Sequence, residues 1–282
     1  MIVDMHTHTF PEKIAASTIE KLADAAHIMP YCNGTLSDLT ASMQAAGIDW
    51  SVVLPVATNE RQVPKVNDAA AELNRQADQQ GVFSFGCIHP DYPEWKAELD
   101  RVAQLGLKGV KLHPYYQRTP IDDPKYLRIL EYCGQLGLVV VSHAGVDVGF
   151  PREVMCSPAM FRKAVRQVGP VKLILAHMGG WWSWDRVIDE LADTSVCLDT
   201  SFSLGKMGPR DDHYREEELN LLSGEQFLEI VRAFGARRIF FGTDNPWGGQ
   251  KETLELFRQL PFTEEETQAI LGENARQLLQ LN

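Results

Sequence analysis

Eight short apolar runs, each followed by a stretch with helical periodicity, constrain this chain more than anything else in it. The runs cover residues 2–5, 51–56, 82–88, 109–112, 138–142, 172–176, 195–199 and 239–242. They are nearly continuous in apolar character rather than alternating, which is the mark of strands buried on both faces of a parallel sheet. Helical patterns fill the intervals at 36–46, 66–80, 94–105, 124–136, 158–168, 184–192, 224–234 and 250–259. A strand–helix unit repeated in this way predicts an α/β fold, a (β/α)8 TIM barrel. Gly47, Gly81, Gly106 and Gly137 each separate a helix from the next strand, as expected of left-handed helix C-caps. Residues 9–35 and 200–223 are longer than a connection needs and follow strands, so they are expected to act as substrate lids over the barrel mouth. Residues 262–281 predict extra C-terminal helices, with Thr263 and Glu266 at capping-box spacing. No linker or low-complexity tract interrupts the 282 residues, and one domain spanning 1–282 is expected.

Charge and composition narrow the function. A net charge of -11, from 38 acidic against 27 basic residues, gives no basic footprint for nucleic acid or an anionic membrane. No apolar stretch approaches the roughly 18 residues of a membrane span, and the first residues lack a secretion signal. The five cysteines are scattered and never paired as Cys-x-x-Cys, which suits neither a disulfide framework nor a zinc–cysteine site. The expectation is a cytoplasmic protein acting on a small molecule, with a homodimer left open.

The chemistry gathers where strands end. The first run ends in His6-Thr7-His8, whose spacing sends both imidazoles to one face of a strand. Three later runs also close on a ligand type, in Ser142-His143, Ala176-His177 and Gly242-Thr243-Asp244. Taken singly, His143 or His177 reads as a buried histidine satisfied by ordinary hydrogen bonds. Taken jointly, His and Asp at four strand ends point to a metal, because the C-terminal strand ends of a barrel ring one opening. Imidazole and carboxylate without thiolate suit Zn, Fe, Mn, Ni or Co and leave a coordination position open for chemistry.

Several segments carry a family likeness: Asp4-Met5-His6-Thr7-His8, Gly109-Val110-Lys111-Leu112-His113-Pro114, His143-Ala144-Gly145, His177-Met178-Gly179-Gly180, Gly242-Thr243-Asp244 and Glu273-Asn274-Ala275-Arg276. On these the chain resembles the amidohydrolase superfamily, and within it the amidohydrolase-related group that includes aminocarboxymuconate-semialdehyde and resorcylate decarboxylases alongside lactonases. The resemblance implies a barrel of the metal-dependent hydrolase type, with His6, His8, His143 and Asp244 on one divalent ion. Zn2+ is the expected ion, with Mn2+, Fe2+, Ni2+ and Co2+ as alternatives, and His177 is implied as an acid/base group or substrate contact. In binuclear relatives a carboxylated lysine stands where Lys111 does; a single metal is expected here. His113, Lys111, Arg118, Arg152 and Trp181 are candidates for substrate contact. The aromatic run Trp181-Trp182-Ser183-Trp184 would otherwise serve packing, and His89 would be a loop histidine. With Asp244 as base, the expected function is hydrolysis of a small amide, ester or lactone through activated water. The alternatives are nonoxidative decarboxylation of an aromatic or dienoic acid, and a noncatalytic metal-binding protein.

Overall fold

In the computed structural model, which describes residues 1–281, strands and helices alternate along the chain. The order is β1 (Val3–Thr7), α1 (Glu12–Ala26), α2 (Leu36–Ala46), β2 (Trp50–Val53), α3 (Val63–Asn74), α4 (Ala77–Gln80), β3 (Val82–Ser84), β4 (Gly86–Cys87), α5 (Trp95–Gln104), β5 (Gly109–Leu112), α6 (Pro124–Leu136) and β6 (Val139–Ser142). It continues α7 (Pro158–Val165), β7 (Lys172–Leu175), α8 (Val187–Leu191), β8 (Cys197–Asp199), α9 (Gly224–Phe234), β9 (Ile239–Phe240), α10 (Gln250–Arg258), α11 (Glu264–Gln268) and α12 (Asn274–Leu279).

All eight apolar runs contain strand, most of them trimmed, as where 51–56 becomes β2 and 239–242 becomes β9. The run 82–88 is broken at Phe85 into β3 and β4. Asn74 marks the break: its side chain accepts from the Ser84 N–H at 2.6 Å and donates to the Ser84 carbonyl at 2.9 Å. Strands β1, β5 and β6 are buried along their whole length, as continuous apolar runs require.

Helix ends follow the punctuation read in the sequence. Gly47 and Gly137 both stand at φ 71, a left-handed conformation that costs a residue with a Cβ roughly 1–2 kcal/mol. Gly81 and Gly106 repeat the device. Thr35, Asp123, Ser157, Ser223 and Thr263 accept a backbone N–H from the first turn of the helix each precedes, and Thr263 with Glu266 completes the expected capping box.

The segment 9–35, expected as a connection over the barrel mouth, is for its larger part a helix, α1. Ala15, Ile19 and Ala23 form the buried stripe of that helix at four-residue spacing. Alanine contributes little to an apolar pattern, and Pro11 at the N-cap offers no side-chain cap, so both usual helix signals were faint. Residues 200–223 are mostly irregular, with isolated bridges Leu204↔Leu222 and Lys206↔Asn220.

The chain divides into two compact units, Met1–Val53 with the segment from Asp199 onward, and Leu54–Leu198. In the first, β1 and β2 are parallel, pairing Val3 with Trp50 and Asp4 with Ser51. Along its other edge β1 meets the chain around and beyond β9: the Met5 N–H donates to Phe241 O at 2.8 Å, Asp244 N–H to His6 O at 2.8 Å and His8 N–H to Asn245 O at 2.7 Å. Asn274 in α12 donates to Ala236 O and Ile239 O, both at 2.8 Å, tying the C-terminal helix to the start of β9.

In the second unit β4, β5, β6, β7 and β8 form successive parallel pairs. Gln117 gathers the chain beyond their ends: it donates to Ala57 O and Ile88 O at 3.2 and 2.6 Å and accepts from the His113 N–H and the Tyr126 hydroxyl at 2.9 and 2.6 Å. All five cysteines are unbridged, with Cys87, Cys133 and Cys156 buried. Among the described residues no helix is long and apolar enough to cross a membrane.

Candidate metal centre

Alternation along β1 sends the Thr7 side chain away from those of its neighbours, its hydroxyl donating to Val52 O at 2.9 Å. His6 and His8 turn to the other side, their Nε2 atoms 3.2 Å apart. Asp244 Oδ1 completes a triangle, 3.4 Å from His6 Nε2 and 3.1 Å from His8 Nε2. Ligands about 2.0–2.1 Å from a tetrahedral ion stand about 3.3 Å from one another, so the donor set and its spacing fit a divalent metal.

The triangle is built by its backbone. Asp244 sits at φ 65, a left-handed conformation that Asp adopts more readily than most residues, and its N–H is fixed on His6 O. One step back, Thr243 bonds the fully buried Asp4 carboxylate through its N–H at 3.0 Å and its hydroxyl at 2.6 Å. The His6 N–H and Gln250 Nε2 bond the same carboxylate at 3.1 and 2.8 Å. Burial pushes the Asp4 carboxyl up to about 7 against the pull of these donors. Behind the triangle, His6 Nδ1 faces Asp199 Oδ2 at 2.8 Å and Ser201 Oγ at 2.9 Å.

The second unit carries a histidine group of its own. His143 follows β6 and His113 follows β5, their rings stacked with centroids 4.5 Å apart. His143 Nδ1 lies 3.1 Å from His177 Nε2, and His143 Nε2 lies 3.1 Å from Val146 O. Asp147 Oδ2 is 3.5 Å from His113 Nε2, while its Oδ1 accepts the Gly149 N–H at 2.8 Å. Each unit thus holds two histidines and an aspartate whose ligand atoms lie within 4.8 Å of one another: His6, His8 and Asp244 in one, His113, His143 and Asp147 in the other.

The remaining candidates have more ordinary surroundings. Lys111 lies fully buried in β5. Arg118 and Arg152 are exposed, and Arg118 pairs with Glu153 at 3.1 Å while lying over the Phe150 ring. Trp181 is buried, stacked on Trp182, and its N–H donates to Ala144 O. Trp184 Nε1 donates to His177 O at 2.8 Å, so the aromatic run braces the segments carrying His143 and His177. His89 is buried and its Nδ1 accepts the Asp91 N–H. Asp199 and Asp147 were not among the sequence candidates. The signal for Asp199 was present, since it ends the run 195–199 as His143 and His177 follow theirs; Asp147 stands in a loop with no such mark.

A family model for amidohydrolases matches residues 3–281. The chain belongs to the amidohydrolase family. As a member it is 26% identical over 202 residues to the 2-amino-3-carboxymuconate-6-semialdehyde decarboxylase of Dictyostelium discoideum, a match covering 64% of this chain and 55% of that protein. This amidohydrolase therefore spans little more than half the length of that curated relative. Among solved structures, an uncharacterized TIM-barrel protein from Bordetella bronchiseptica superposes with TM-score 0.74 at 18% identity, covering 99% of this chain and 98% of that one. A protein proposed to be a 2-pyrone-4,6-dicarboxylic acid hydrolase, from Pseudomonas putida, gives 0.66 at 18% over 99% and 97%. The 5-carboxyvanillate decarboxylase of Sphingomonas paucimobilis gives 0.67 at 15% over 100% and 99%. The fold is accordingly the α/β, (β/α)8 TIM barrel expected from the sequence, with α11 and α12 as the extra C-terminal helices.

Proposed function

We propose that this amidohydrolase is a divalent-metal-dependent hydrolase of a small amide, ester or lactone. The observation that carries the reading is the convergence of two imidazole nitrogens and one carboxylate oxygen, from His6, His8 and Asp244, at 3.1–3.4 Å. A divalent cation held there, with Zn2+ the expected one, supplies Lewis acidity that acidifies water and polarises a carbonyl. The remaining work falls to the chain. Asp244 is the one anionic member of the triangle, and its carboxylate is suited to take the proton of an attacking water. His177 is assigned the proton delivered to the leaving group; its Nε2 contact with His143 Nδ1 at 3.1 Å fixes one ring against the other. The sequence resemblance adds His143 as a further ligand. His113, Lys111, Arg118, Arg152 and Trp181 are kept as substrate contacts, with the two exposed arginines suited to a carboxylate group. The scattered cysteines, never paired as Cys-x-x-Cys, fit a reducing, cytoplasmic location.

A second reading, nonoxidative decarboxylation, is favoured by the similarity to the Dictyostelium decarboxylase. One experiment separates the two. Zn2+-reconstituted protein is assayed on lactones, esters, amides and aromatic carboxylates in ¹⁸O-water, with label in product and CO2 release scored separately. Label in the new carboxylate is the expected result. CO2 release without label moves the enzyme to the decarboxylase reading, and neither product with the metal bound overturns both.

A further inference from the structure

The His6 ring is gripped from behind by a pair of side chains that agree on where its proton belongs. Nδ1 faces Asp199 Oδ2 at 2.8 Å and Ser201 Oγ at 2.9 Å. Asp199 Oδ1 accepts from the Ser201 N–H at 3.0 Å and from the Ser201 hydroxyl at 2.5 Å. None of the three residues is more than 1% exposed. A carboxylate can only accept, so the proton in the 2.8 Å contact belongs to Nδ1. The Ser201 hydroxyl hydrogen is directed at Asp199, which leaves the serine oxygen to offer a lone pair to the same Nδ1–H. Both neighbours therefore place a proton on Nδ1, so in the neutral ring Nε2 is the unprotonated atom, on the edge that faces His8 and Asp244.

We infer that Asp199, supported by Ser201, is a positioning residue that holds His6 in its metal-binding tautomer and ring orientation. This rests on the reading of His6, His8 and Asp244 as metal ligands. A carboxylate behind a ligating imidazole both orients the ring and raises its basicity, and losing such a partner typically weakens metal binding 10–100-fold. An asparagine at 199 keeps the shape but can present its NH2 group to Nδ1, which then becomes an acceptor and moves the proton to Nε2. A purely structural Asp199 would affect stability and leave both tautomer and metal affinity alone.

The test is competitive zinc titration against a chromogenic chelator, with ¹⁵N-imidazole NMR of the metal-free protein and a His6→Gln variant to assign the His6 signals. Asp199→Asn is expected to weaken zinc binding 10–100-fold and to raise the Nε2–H tautomer of His6. Ser201→Ala is expected to weaken binding by a few-fold at most, with the tautomer kept. Unchanged zinc affinity and tautomer in folded Asp199→Asn would overturn the inference. Should that variant not fold, the wild-type spectrum decides, since a resting Nε2–H tautomer contradicts the assignment. Wild-type protein that binds no divalent ion would sink the proposed function, while the NMR result still judges Asp199 on its own.

Discussion

At the scale of single residues, the candidate site depends on side chains whose backbone leaves them little choice. Asp244 stands in a left-handed turn with its N–H on His6 O, so its carboxylate approaches the two imidazoles by construction. Asp244→Asn keeps that shape and removes the proposed proton acceptor. With zinc content verified in the same sample, turnover on the best substrate is expected to fall by roughly two orders of magnitude or more. Near-normal single-turnover rates at full zinc loading would remove Asp244 from the acid/base role. Residue types at strand ends were legible because a barrel gathers those ends whatever their separation in sequence. Asp199 ends a strand in the same way, but its use depends on which ring stands 2.8 Å away, and no spacing rule encodes that.

At the scale of elements, apolar runs and glycine punctuation located the strands and the helix C-caps, while α1 escaped because its buried stripe is largely alanine. Phe85 shows a further limit. The run 82–88 reads as one strand, yet the Asn74 side chain takes both backbone groups of Ser84 and interrupts the ladder, an effect of tertiary contact on local pattern. The closing motif Glu273-Asn274-Ala275-Arg276 now has a physical meaning. Asn274 is buried and donates to the carbonyl that opens the Ala236–Arg238 turn and to the one just after it, while Glu273 and Arg276 pair at 2.8 Å on the helix surface. Asn274→Ala would remove the donor from the buried Ile239 carbonyl, at about 1–3 kcal/mol. The melting temperature is expected to drop by several degrees, checked by calorimetry, with Gln277→Ala on the exposed face shifting it far less.

At the scale of the whole molecule, ligand binding and stability are linked. Any ion that binds only the native chain stabilises it by mass action, about 2.7 kcal/mol when free metal stands at 100 times its dissociation constant. Dialysis against a chelator is therefore expected to lower the melting temperature, and added Zn2+ to restore it in a concentration-dependent way. A melting curve indifferent to chelator and to added metal would count against a metal site in the native protein. The fold class was readable from the repeat of apolar runs, whereas the division into two compact units was not: no linker marks residues 53–54 or 198–199.

That division has a consequence in time. One unit joins the first 53 residues to those from 199 onward, so its N-terminal part leaves the ribosome long before its other part exists. At roughly 5–20 residues per second, His6 and His8 are made some tens of seconds before Asp244. Over that interval the nascent chain carries two imidazoles with neither the carboxylate between them nor Asp199 behind them. The candidate metal centre thus exists only once synthesis has passed Asp244, and a chain that stops short of that residue cannot assemble it.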